Sequence, residues 1–482
     1  MTLKNAQGLK SILEPGSVAV VGASDNPDKV GGRPIKYLID QGFKGRIYAV
    51  NPRAQTVQGL PAYASLDELP EVPDAAILCV GASQIVDQLH LCAKLGVANA
   101  ISFASGYAET GEDGLRRQDE LARICRDGGV RLLGPNSIGV SNFSNGAVLS
   151  FASAYIDHPP LDGPISIVSQ SGGIGVTAYA MLRSAGWGVR CVAATGNESD
   201  IDVAEFLDEL SSDEVTGVIL LYLEDIKDEA RLESALAKAL ANNIPILALR
   251  AGGTLAGRNS AMLHTGSHGA AEEAQDVLFA RHGCRSLTSL NQTVLSTPLY
   301  LAPAWRALST AARPEGVALI SNSGAACVLS ADQAVRRGLP IAPLSADSCA
   351  ALDAILPDFS LSRNPVDLTA VLLSDSSLLG RAVEVVLDDP HVDSAVMGLL
   401  AIGGPSYDTD RFARDSAAAA KASAKPLVFY SPHTHVRAIF AAHGHAVFED
   451  ENSAMTALEG FFEHRAAFQR LNKQTQIDGN PA

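Results

Sequence analysis

Three short segments carry side chains that could transfer a phosphoryl group. The first, residues 169–175, reads Ser-Gln-Ser-Gly-Gly-Ile-Gly, follows an apolar run and opens a helical pattern. Hydroxyls, paired glycines and the N–H groups of a helix N-terminus together can cradle a phosphate. The segment does not match the nucleophile elbow GxSxG, because Ser169 stands where the first glycine belongs.

A histidine in a small-residue loop is the second candidate. His264 lies in Leu-His-Thr-Gly-Ser-His-Gly, and neutral imidazole is a good nucleophile toward phosphorus. An exposed loop histidine without a catalytic role is the alternative. His268 follows four residues later, but Gly266 disfavours the helix that a metal-binding pair would need, so no metal site is predicted.

Two carboxylates form the third candidate. Glu224 and Asp225 directly follow the apolar residues 218–223. The carboxyl ends of parallel strands are where α/β sheets keep their active sites, so one of these acids could orient a histidine. A solvated loop acid is the alternative.

A strand followed by small residues begins near the N-terminus. Residues 18–21 lead into Gly22, Ala23 and Ser24, and Lys29 stands a few residues further on. Small residues allow a phosphate to approach the backbone, and the helical pattern that follows would present free N–H groups to it. The turn indicates a nucleotide-like ligand, with a purely structural strand–turn–helix as the alternative.

Two other strand ends of this block carry turn residues. Asn51 and Pro52 follow the second strand, where a Rossmann NAD site would place Asp or Glu to bind ribose hydroxyls. The first turn also lacks GxGxxG, so an NAD-dependent dehydrogenase is disfavoured. Gly134-Pro135-Asn136 closes the block and by itself predicts only a turn.

The elements that must position these residues alternate as in α/β proteins. Short apolar runs suit strands buried on both faces of a parallel sheet, and helical patterns such as residues 83–95 and 114–126 separate them. This alternation predicts doubly wound sheets. The runs are residues 18–21, 47–50, 75–80, 100–103, 165–168, 191–194, 218–223, 246–249, 317–320, 394–400 and 426–430.

Turn-rich breaks at residues 141–163 and 303–316 divide the chain into three blocks. The second and third blocks open alike, with Ser-Gln-Ser-Gly and Ser-Asn-Ser-Gly after an apolar run, which indicates a repeat of one flavodoxin-like unit. The predicted domains are residues 1–145, 160–305 and 315–470, with a flexible tail at 471–482.

The composition excludes several classes of protein. The 482 residues carry 37 Lys+Arg and 53 Asp+Glu, a formal net charge of −16, and 5% are aromatic. A nucleic-acid binder needs positive charge and stacking platforms, so this class is disfavoured. Seven cysteines without a CxxC pair indicate neither a disulfide framework nor a cysteine zinc site. Without a signal peptide or a membrane-length apolar run, a cytoplasmic protein is expected.

In their order, these segments resemble the NDP-forming acyl-CoA synthetases, the superfamily of succinyl-CoA synthetase and the ADP-forming acetate–CoA ligases. Residues 18–51 and the Gly-Pro-Asn turn look like the CoA-binding domain of that family. Residues 169–173 look like the phosphate loop of its second domain, and residues 195–200, Thr-Gly-Asn-Glu-Ser-Asp, resemble a Gly-Asn segment in the same domain.

Three further motifs extend the resemblance. Leu-Tyr-Leu-Glu at 221–224 matches the strand whose glutamate faces the active histidine, and His-Thr-Gly at 264–266 matches the phosphohistidine loop. Asn-Pro-Val-Asp-Leu at 364–368 matches a motif of the third domain. The resemblance covers roughly residues 10–466, and it is the order and spacing of the motifs that make it specific.

The resemblance implies an α/β fold, with an N-terminal Rossmann-like CoA-binding domain followed by two flavodoxin-like doubly wound domains. It implies that His264 is phosphorylated during turnover and that Glu224 holds and stabilises its imidazole. The other implied site residues are Ser171, Gly172 and Gly173 for phosphate, and Gly22, Ala23, Ser24, Lys29, Asn51, Pro52 and Asn136 for coenzyme A.

The implied reaction joins a small carboxylic acid to coenzyme A. The acid takes the γ-phosphoryl of ATP by way of the histidine, the CoA thiol then displaces phosphate, and ADP leaves. No ATP-grasp pattern follows the third block, so a separate ATP-grasp subunit that binds ATP with Mg, and an oligomer, are expected. A non-catalytic CoA- or acyl-CoA-binding regulator of the same fold is the alternative.

The acidic net charge is compatible with these anionic ligands. Backbone N–H groups at helix ends would hold the phosphates, with local help from Lys29, Arg53 or Arg250. Such sites need little net positive charge.

Overall fold

A computed structural model of the protein describes residues 8–257, 260, 272–307, 311–357, 360, 362–402 and 406–477. The chain divides into two compact units. The first comprises the described residues up to 183 and between 188 and 288, and the second comprises residues 184–187 and the described residues from 289 onward.

Nineteen strands occur in the described residues: β1 (Ser17–Val21), β2 (Arg46–Val50), β3 (Thr56–Val57), β4 (Leu60–Tyr63), β5 (Ala75–Leu78), β6 (Asn99–Ser102), β7 (Arg131–Leu133), β8 (Gly139–Asn142), β9 (Ala147–Ser150), β10 (Ile165–Ser169), β11 (Val189–Ala194), β12 (Val218–Leu223), β13 (Ile246–Arg250), β14 (Arg285–Leu287), β15 (Val317–Ser321), β16 (Val366–Asp367), β17 (Ser394–Gly398), β18 (Leu427–Tyr430) and β19 (Ala446–Phe448). The helices are Lys10–Leu13, Arg33–Asp40, Ala82–Leu95, Glu112–Gly128, Ala154–Asp157, Gly172–Ser184, Val203–Leu210, Glu229–Ala241, Glu272–Arg281, Leu290–Leu301, Pro303–Arg306, Gly324–Arg336, Ala346–Asp353, Leu378–Asp388, Thr409–Ser423, Thr434–Ala442 and Glu451–Ile477, with 3-10 turns at Leu66–Glu68, Ala108–Thr110 and Thr369–Leu373.

The first sheet has the strand order β3-β4-β2-β1-β5-β6-β7, and only β3 runs antiparallel to its neighbour. Without β3 this is the Rossmann order, with the connections reversing direction between β1 and β5. All five residues of β1 are buried, as expected for a Val-rich strand covered on both faces. Ligands bind at such a reversal point, so the turn after β1 is well placed for one.

The second sheet has the order β14-β13-β12-β10-β11-β8-β9. Its five parallel strands follow the flavodoxin order 2-1-3-4-5. The antiparallel hairpin of β8 and β9 extends the sheet next to β11, which corrects the prediction of a turn-rich break over the first part of residues 141–163. The side-chain oxygens of Asn142 and Asn145 accept the N–H groups of Ser144 and Ala147, so the turn-forming residues close a hairpin instead.

The third sheet lies in the second unit and has the order β16-β15-β17-β18-β19, again 2-1-3-4-5. Within each unit the parallel strands are covered by helices and build buried apolar clusters. The α/β class and the sequence of one Rossmann-like and two flavodoxin-like sheets are therefore confirmed.

The predicted ends of the second and third domains differ from the limits seen in the structure. The helix Leu290–Leu301 packs on β19 and on the helix Glu451–Ile477, so residues from 289 belong with the third sheet. The Thr and Ser side chains of this helix did not indicate in the sequence that it packs on the third sheet. The last helix continues to Ile477 and includes the first seven residues of the predicted tail. The predicted first domain, residues 1–145, also includes β8, which belongs to the second sheet. The other domain limits stay predictions.

Candidate functional site

The turn after β1 folds tightly at its glycines. Gly22 has a φ of +80°, and a Cβ added there would lie 2.4 Å from the carbonyl oxygen of Cys79. A Cβ added at Gly31 would lie 2.2 Å from the carbonyl oxygen of Gly22. Because side chains do not tolerate such distances, packing of the turn itself requires both glycines.

Two side chains hold this turn from outside. Asn51 donates from Nδ2 to the carbonyl oxygen of Ala23 at 2.8 Å, and Gln58 donates from Nε2 to the carbonyl oxygens of Ser24 and Gly32 at 3.0 and 2.9 Å. Asn51 was expected at the site, but Gln58 was not, because no motif marks the short loop between β3 and β4. Asn51 therefore holds the turn by a direct hydrogen bond. Its contact with a ligand stays a prediction.

The rim of the turn is polar and basic. Ser24 is half-buried, Lys29, Pro52 and Arg53 are exposed, and the Ala23 side chain is buried. Two exposed basic residues thus lie in the segments that follow β1 and β2, and Lys29 shortly precedes the helix Arg33–Asp40. Phosphates of coenzyme A would fit a rim that combines backbone N–H groups with such cations.

The predicted turn at Asn136 meets the second sheet. Asn136, at φ +57°, donates from Nδ2 to Oδ1 of Asn197 at 3.2 Å. The N–H of Asn197 donates to the carbonyl oxygen of Pro135 at 3.0 Å, and the Ser199 hydroxyl donates to that of Gly134 at 2.8 Å. Asn136 and Asn197 belong to two motifs of the family pattern and lie 61 residues apart in the sequence. In the structure these two motifs are in direct contact.

The predicted phosphate loop forms the N-terminus of the helix Gly172–Ser184. Ser171 Oγ accepts the N–H of Ile174 at 3.4 Å. A Cβ at Gly172 would lie 2.4 Å from the Ile138 side chain, whereas one at Gly173 would meet nothing nearer than 3.9 Å. Gly172 is therefore needed for packing, and Gly173 borders open space at a helix end that favours anions.

Gln170 brings Glu224 next to this loop. β10 and β12 are parallel neighbours with Ser169 opposite Tyr222, so both segments leave the sheet at the same edge. Gln170 Oε1 accepts the N–H groups of Glu224 and Asp225 at 2.6 and 3.0 Å, and its Nε2 donates to the carbonyl oxygen of Asp225 at 2.7 Å. The amide that precedes Ser171 thus fixes the backbone that carries Glu224.

Glu224 is 6% exposed as a residue, and its carboxylate accepts the Tyr222 hydroxyl at 3.0 Å. Burial, with the adjacent Glu224, raises the pKa of Tyr222, so this hydroxyl keeps the proton that it donates. Asp225 instead pairs with Lys227 at 3.0 Å. Of the two predicted carboxylates, Glu224 is the one held inside the site.

A second buried acid, Glu198, was not predicted. Its residue is 8% exposed, and burial raises its pKa to about 7. It accepts hydrogen bonds from Thr195, Gln170 and Val203 at 2.7–3.0 Å. The sequence signal was its place in the Thr-Gly-Asn-Glu segment just after β11, which was noted as a motif without a role for the acid.

Arg250, at the end of β13, packs against the next helix. Its Nη1 donates to Gln275 at 3.2 Å, its Nη2 pairs with Asp276 at 2.5 Å, and its guanidinium lies 5.7 Å from the Phe279 ring centre. These contacts account for its burial, and a role toward phosphate stays a prediction.

The predicted phosphohistidine loop, with His264, Gly266 and His268, lies outside the described residues. Among the helices that are described, none combines the length and apolar character needed to cross a bilayer. Within the same residues, no group of three or more His, Cys, Asp or Glu side chains is arranged to hold a metal ion.

Two family models match the chain. The one described as a CoA binding domain matches residues 16–142, and the one described as a succinyl-CoA ligase like flavodoxin domain matches residues 162–297. They cover the first two sheets and the turns described above.

Two relatives and one solved structure extend the match. The alpha subunit of ADP-forming acetate–CoA ligase II from Pyrococcus furiosus is 31% identical over 388 residues, 80% of this chain and 81% of that protein. Trans-feruloyl-CoA synthase from an unknown prokaryotic organism is 32% identical over 395 residues, 82% of this chain but only 55% of that protein. A dinucleotide forming acetyl-coenzyme A synthetase 1 from Ca. Korarchaeum cryptofilum, in complex with phosphate and ADP, shares the fold at a TM-score of 0.81 and 24% identity, over 98% of this chain and 99% of that one.

A Rossmann-like CoA-binding domain joined to a succinyl-CoA-ligase-like flavodoxin domain defines the acyl-CoA synthetases that release a nucleoside diphosphate. Within that class, the chain belongs to the ADP-forming acetate–CoA ligase family, as the resemblance of its motifs predicted. It spans about half the length of some relatives, such as the feruloyl-CoA synthase, and most of the length of the separate alpha subunits.

Proposed function

We propose that the chain is the CoA-binding, phosphohistidine-carrying part of an ADP-forming acyl-CoA synthetase, which converts a carboxylate, CoA and ATP to acyl-CoA, ADP and phosphate. One observation carries the proposal. The predicted phosphate loop at Ser171 and the backbone of Glu224 leave the sheet at the same edge and are joined by Gln170, in a unit that also holds the CoA-binding sheet.

Each residue has a part in this chemistry. The turn from Gly22 to Lys29 and the segment at Asn51 and Asn136 bind CoA. His264 accepts the phosphoryl group, and Glu224 stabilises the imidazolium that forms when the bond to phosphorus is made. The N–H groups at Ser171, Gly172 and Gly173 hold the phosphate, since a helix N-terminus offsets its negative charge.

The phosphoryl group moves in two transfers. His264 attacks the γ-phosphorus of ATP and releases ADP, and the carboxylate then takes the group to form an acyl phosphate. The CoA thiol, losing its proton, attacks the acyl carbon and releases inorganic phosphate. A separate ATP-grasp subunit supplies ATP with Mg, in keeping with the relatives that are named as alpha subunits.

A ligation assay tests the proposal. The chain, an ATP-grasp subunit, ATP, Mg²⁺ and CoA are mixed with acetate or ferulate, and acyl-CoA is measured. Glu224→Gln should lower turnover about 100-fold or more without changing CoA affinity by calorimetry. Asp225→Asn is the matched control, since that acid pairs with Lys227, and it should stay within a few-fold. Wild-type turnover in Glu224→Gln would contradict the proposed role.

The same assay distinguishes the proposed enzyme from the alternative, a CoA-binding regulator. A regulator would bind CoA by calorimetry and form no acyl-CoA with any ATP-grasp subunit. The buried Glu224 beside the phosphate loop favours the enzyme, because a regulator has no use for a carboxylate held there at a desolvation cost.

A further inference from the structure

Glu198 is held in an unfavourable backbone conformation. Its φ is +55°, in the left-handed region that residues with a Cβ seldom adopt. Thr195 and Val203 donate to its Oε1 at 2.8 and 3.0 Å, so the surrounding loop fixes the carboxylate firmly. Strained residues of this kind concentrate at functional sites.

The second carboxylate oxygen of Glu198 accepts Gln170 Nε2 at 2.7 Å. The Gln170 amide therefore makes four hydrogen bonds: two donated, to Glu198 and the carbonyl oxygen of Asp225, and two accepted, from the N–H groups of Glu224 and Asp225. A side-chain amide can be turned over without changing its shape. Only one orientation satisfies these four partners.

The second unit contains a similar amide, whose side-chain contacts among the described residues are with backbone groups. Asn322 follows β15 as Gln170 follows β10, and Ser321 faces Gly398 as Ser169 faces Tyr222. Asn322 accepts the N–H of Leu400 at 3.0 Å and donates to the carbonyl oxygen of Ala401 at 3.1 Å. Leu400 thus stands in the place of Glu224. An amide that follows a strand and binds the backbone of a neighbouring loop, here called the amide clasp, therefore occurs in both units. Glu198 binds this amide in the first unit, where the loop carries Glu224.

We propose that Glu198 is a positioning residue, which fixes the orientation of the Gln170 amide and through it the backbone position of Glu224. This rests on the proposed function. In its ionised form Glu198 accepts and does not donate, so it selects Nε2 as its neighbour and leaves Oε1 of Gln170 to hold the N–H of Glu224. Asn197, next in the chain, contacts Asn136, so the same loop also borders the CoA-binding sheet.

Two exchanged side chains test this arrangement. In Glu198→Gln, the new amide nitrogen faces either Gln170 Nε2 or the N–H of Val203, depending on how the amide is turned. In both orientations two hydrogen-bond donors face each other. Gln170→Glu places carboxylate oxygens against Glu198. In the double variant Glu198→Gln/Gln170→Glu, the new amide can donate to the new carboxylate, and the N–H groups of Glu224 and Asp225 keep an acceptor.

Two readouts are measured for each variant. The first is amide hydrogen exchange at the backbone N–H groups of Glu224 and Asp225, which does not depend on activity. The second is steady-state ligation with an ATP-grasp subunit, ATP and CoA. We expect Glu198→Gln to exchange at least about fivefold faster at both N–H groups and to lose about tenfold in kcat, with KM for CoA unchanged. The double variant should regain part of the slow exchange and part of the kcat.

Asn322→Asp is the matched control, since it disturbs the same clasp in the second unit. It should speed exchange at the N–H of Leu400 and leave ligation within about twofold. Unchanged exchange at Glu224 and Asp225 in Glu198→Gln would overturn the inference, and so would faster exchange with unchanged kcat. If the unmodified chain ligates no acid, the proposed function fails instead, and the exchange measurement alone decides whether Glu198 holds the loop.

Discussion

Asn51 donates its side-chain N–H to the carbonyl oxygen of Ala23 at 2.8 Å, and so joins the end of β2 to the turn that follows β1. In Asn51→Asp a carboxylate oxygen would face that carbonyl, and the turn would loosen. We expect CoA affinity, measured by calorimetry, to fall about tenfold, or about 1.4 kcal/mol.

Asn145 offers a matched control for this change. Its Nδ2 donates in the same way to the carbonyl oxygen of Leu13 at 2.9 Å, away from the turn after β1. Asn145→Asp should cost stability and leave CoA affinity within about twofold. Equal affinities for Asn51→Asp and the unmodified chain would show that Asn51 does not shape the CoA site.

Gly31→Ala should disrupt the same turn by crowding. Its new Cβ would lie 2.2 Å from the carbonyl oxygen of Gly22, and overpacking of this kind costs about 1–3 kcal/mol. Urea unfolding and CoA titration should both report the loss. Gly81→Ala is the control, because a Cβ there meets nothing within 4 Å and its φ of −68° suits alanine. Equal behaviour of the two variants would rule out a special packing role for Gly31.

Arg131 connects the last strand of the first sheet to the second sheet. Its Nε lies 3.0 Å from Asp200, and its Nη2 lies 2.8 Å from Glu205. Arg131→Met would leave two half-buried acids without this cation, and we expect unfolding by urea to become about 1–2 kcal/mol easier.

The exposed pair of Arg116 and Asp113 is the comparison for Arg131. It has a similar distance, 2.7 Å, but both side chains are more than two-thirds exposed. Arg116→Met should therefore change stability by less than about 0.5 kcal/mol. A similar loss in both variants would mean that the Arg131 cluster contributes no more than a surface pair.

Glu198 should make the folded state less stable as the pH rises. Burial raises its folded pKa from 4.5 to about 7, and the nearby Asp202 adds to the shift. Between these two pH values the folded chain binds more proton than the unfolded chain, so the free energy of unfolding falls with rising pH. The shift corresponds to a change on the order of 3 kcal/mol.

Urea unfolding at pH 5, 6, 7 and 8 checks this dependence. The unmodified chain should lose stability over that range relative to Glu198→Gln, whose side chain does not titrate, while all other groups titrate alike in both. Parallel stability curves for the two proteins would show that Glu198 has an ordinary pKa.

The sequence predicted the strands well because buried parallel strands are continuous apolar runs. Residues 165–168 and 218–223 became β10 and β12 with at most one residue of difference. The hairpin of β8 and β9 was missed, since its turn residues also suit a linker.

The candidate site was predicted only where a residue follows a strand in a recognisable motif. Ser171 and Glu224 were predicted in this way. Gln170 and Glu198 acquire their importance from contacts across 54 and 28 residues, and such long-range pairings leave no local pattern. Their polar side chains, read alone, are typical of solvated loops.

The most direct test is phosphorylation of the chain itself. With an ATP-grasp subunit and [γ-³²P]ATP, the chain should acquire acid-labile phosphate at His264, detected by mass spectrometry under neutral conditions. His264→Ala should abolish the label, and His268→Ala, in the same loop, should retain it. Undiminished acid-labile label in His264→Ala would contradict the assignment of His264 as the phosphoryl carrier.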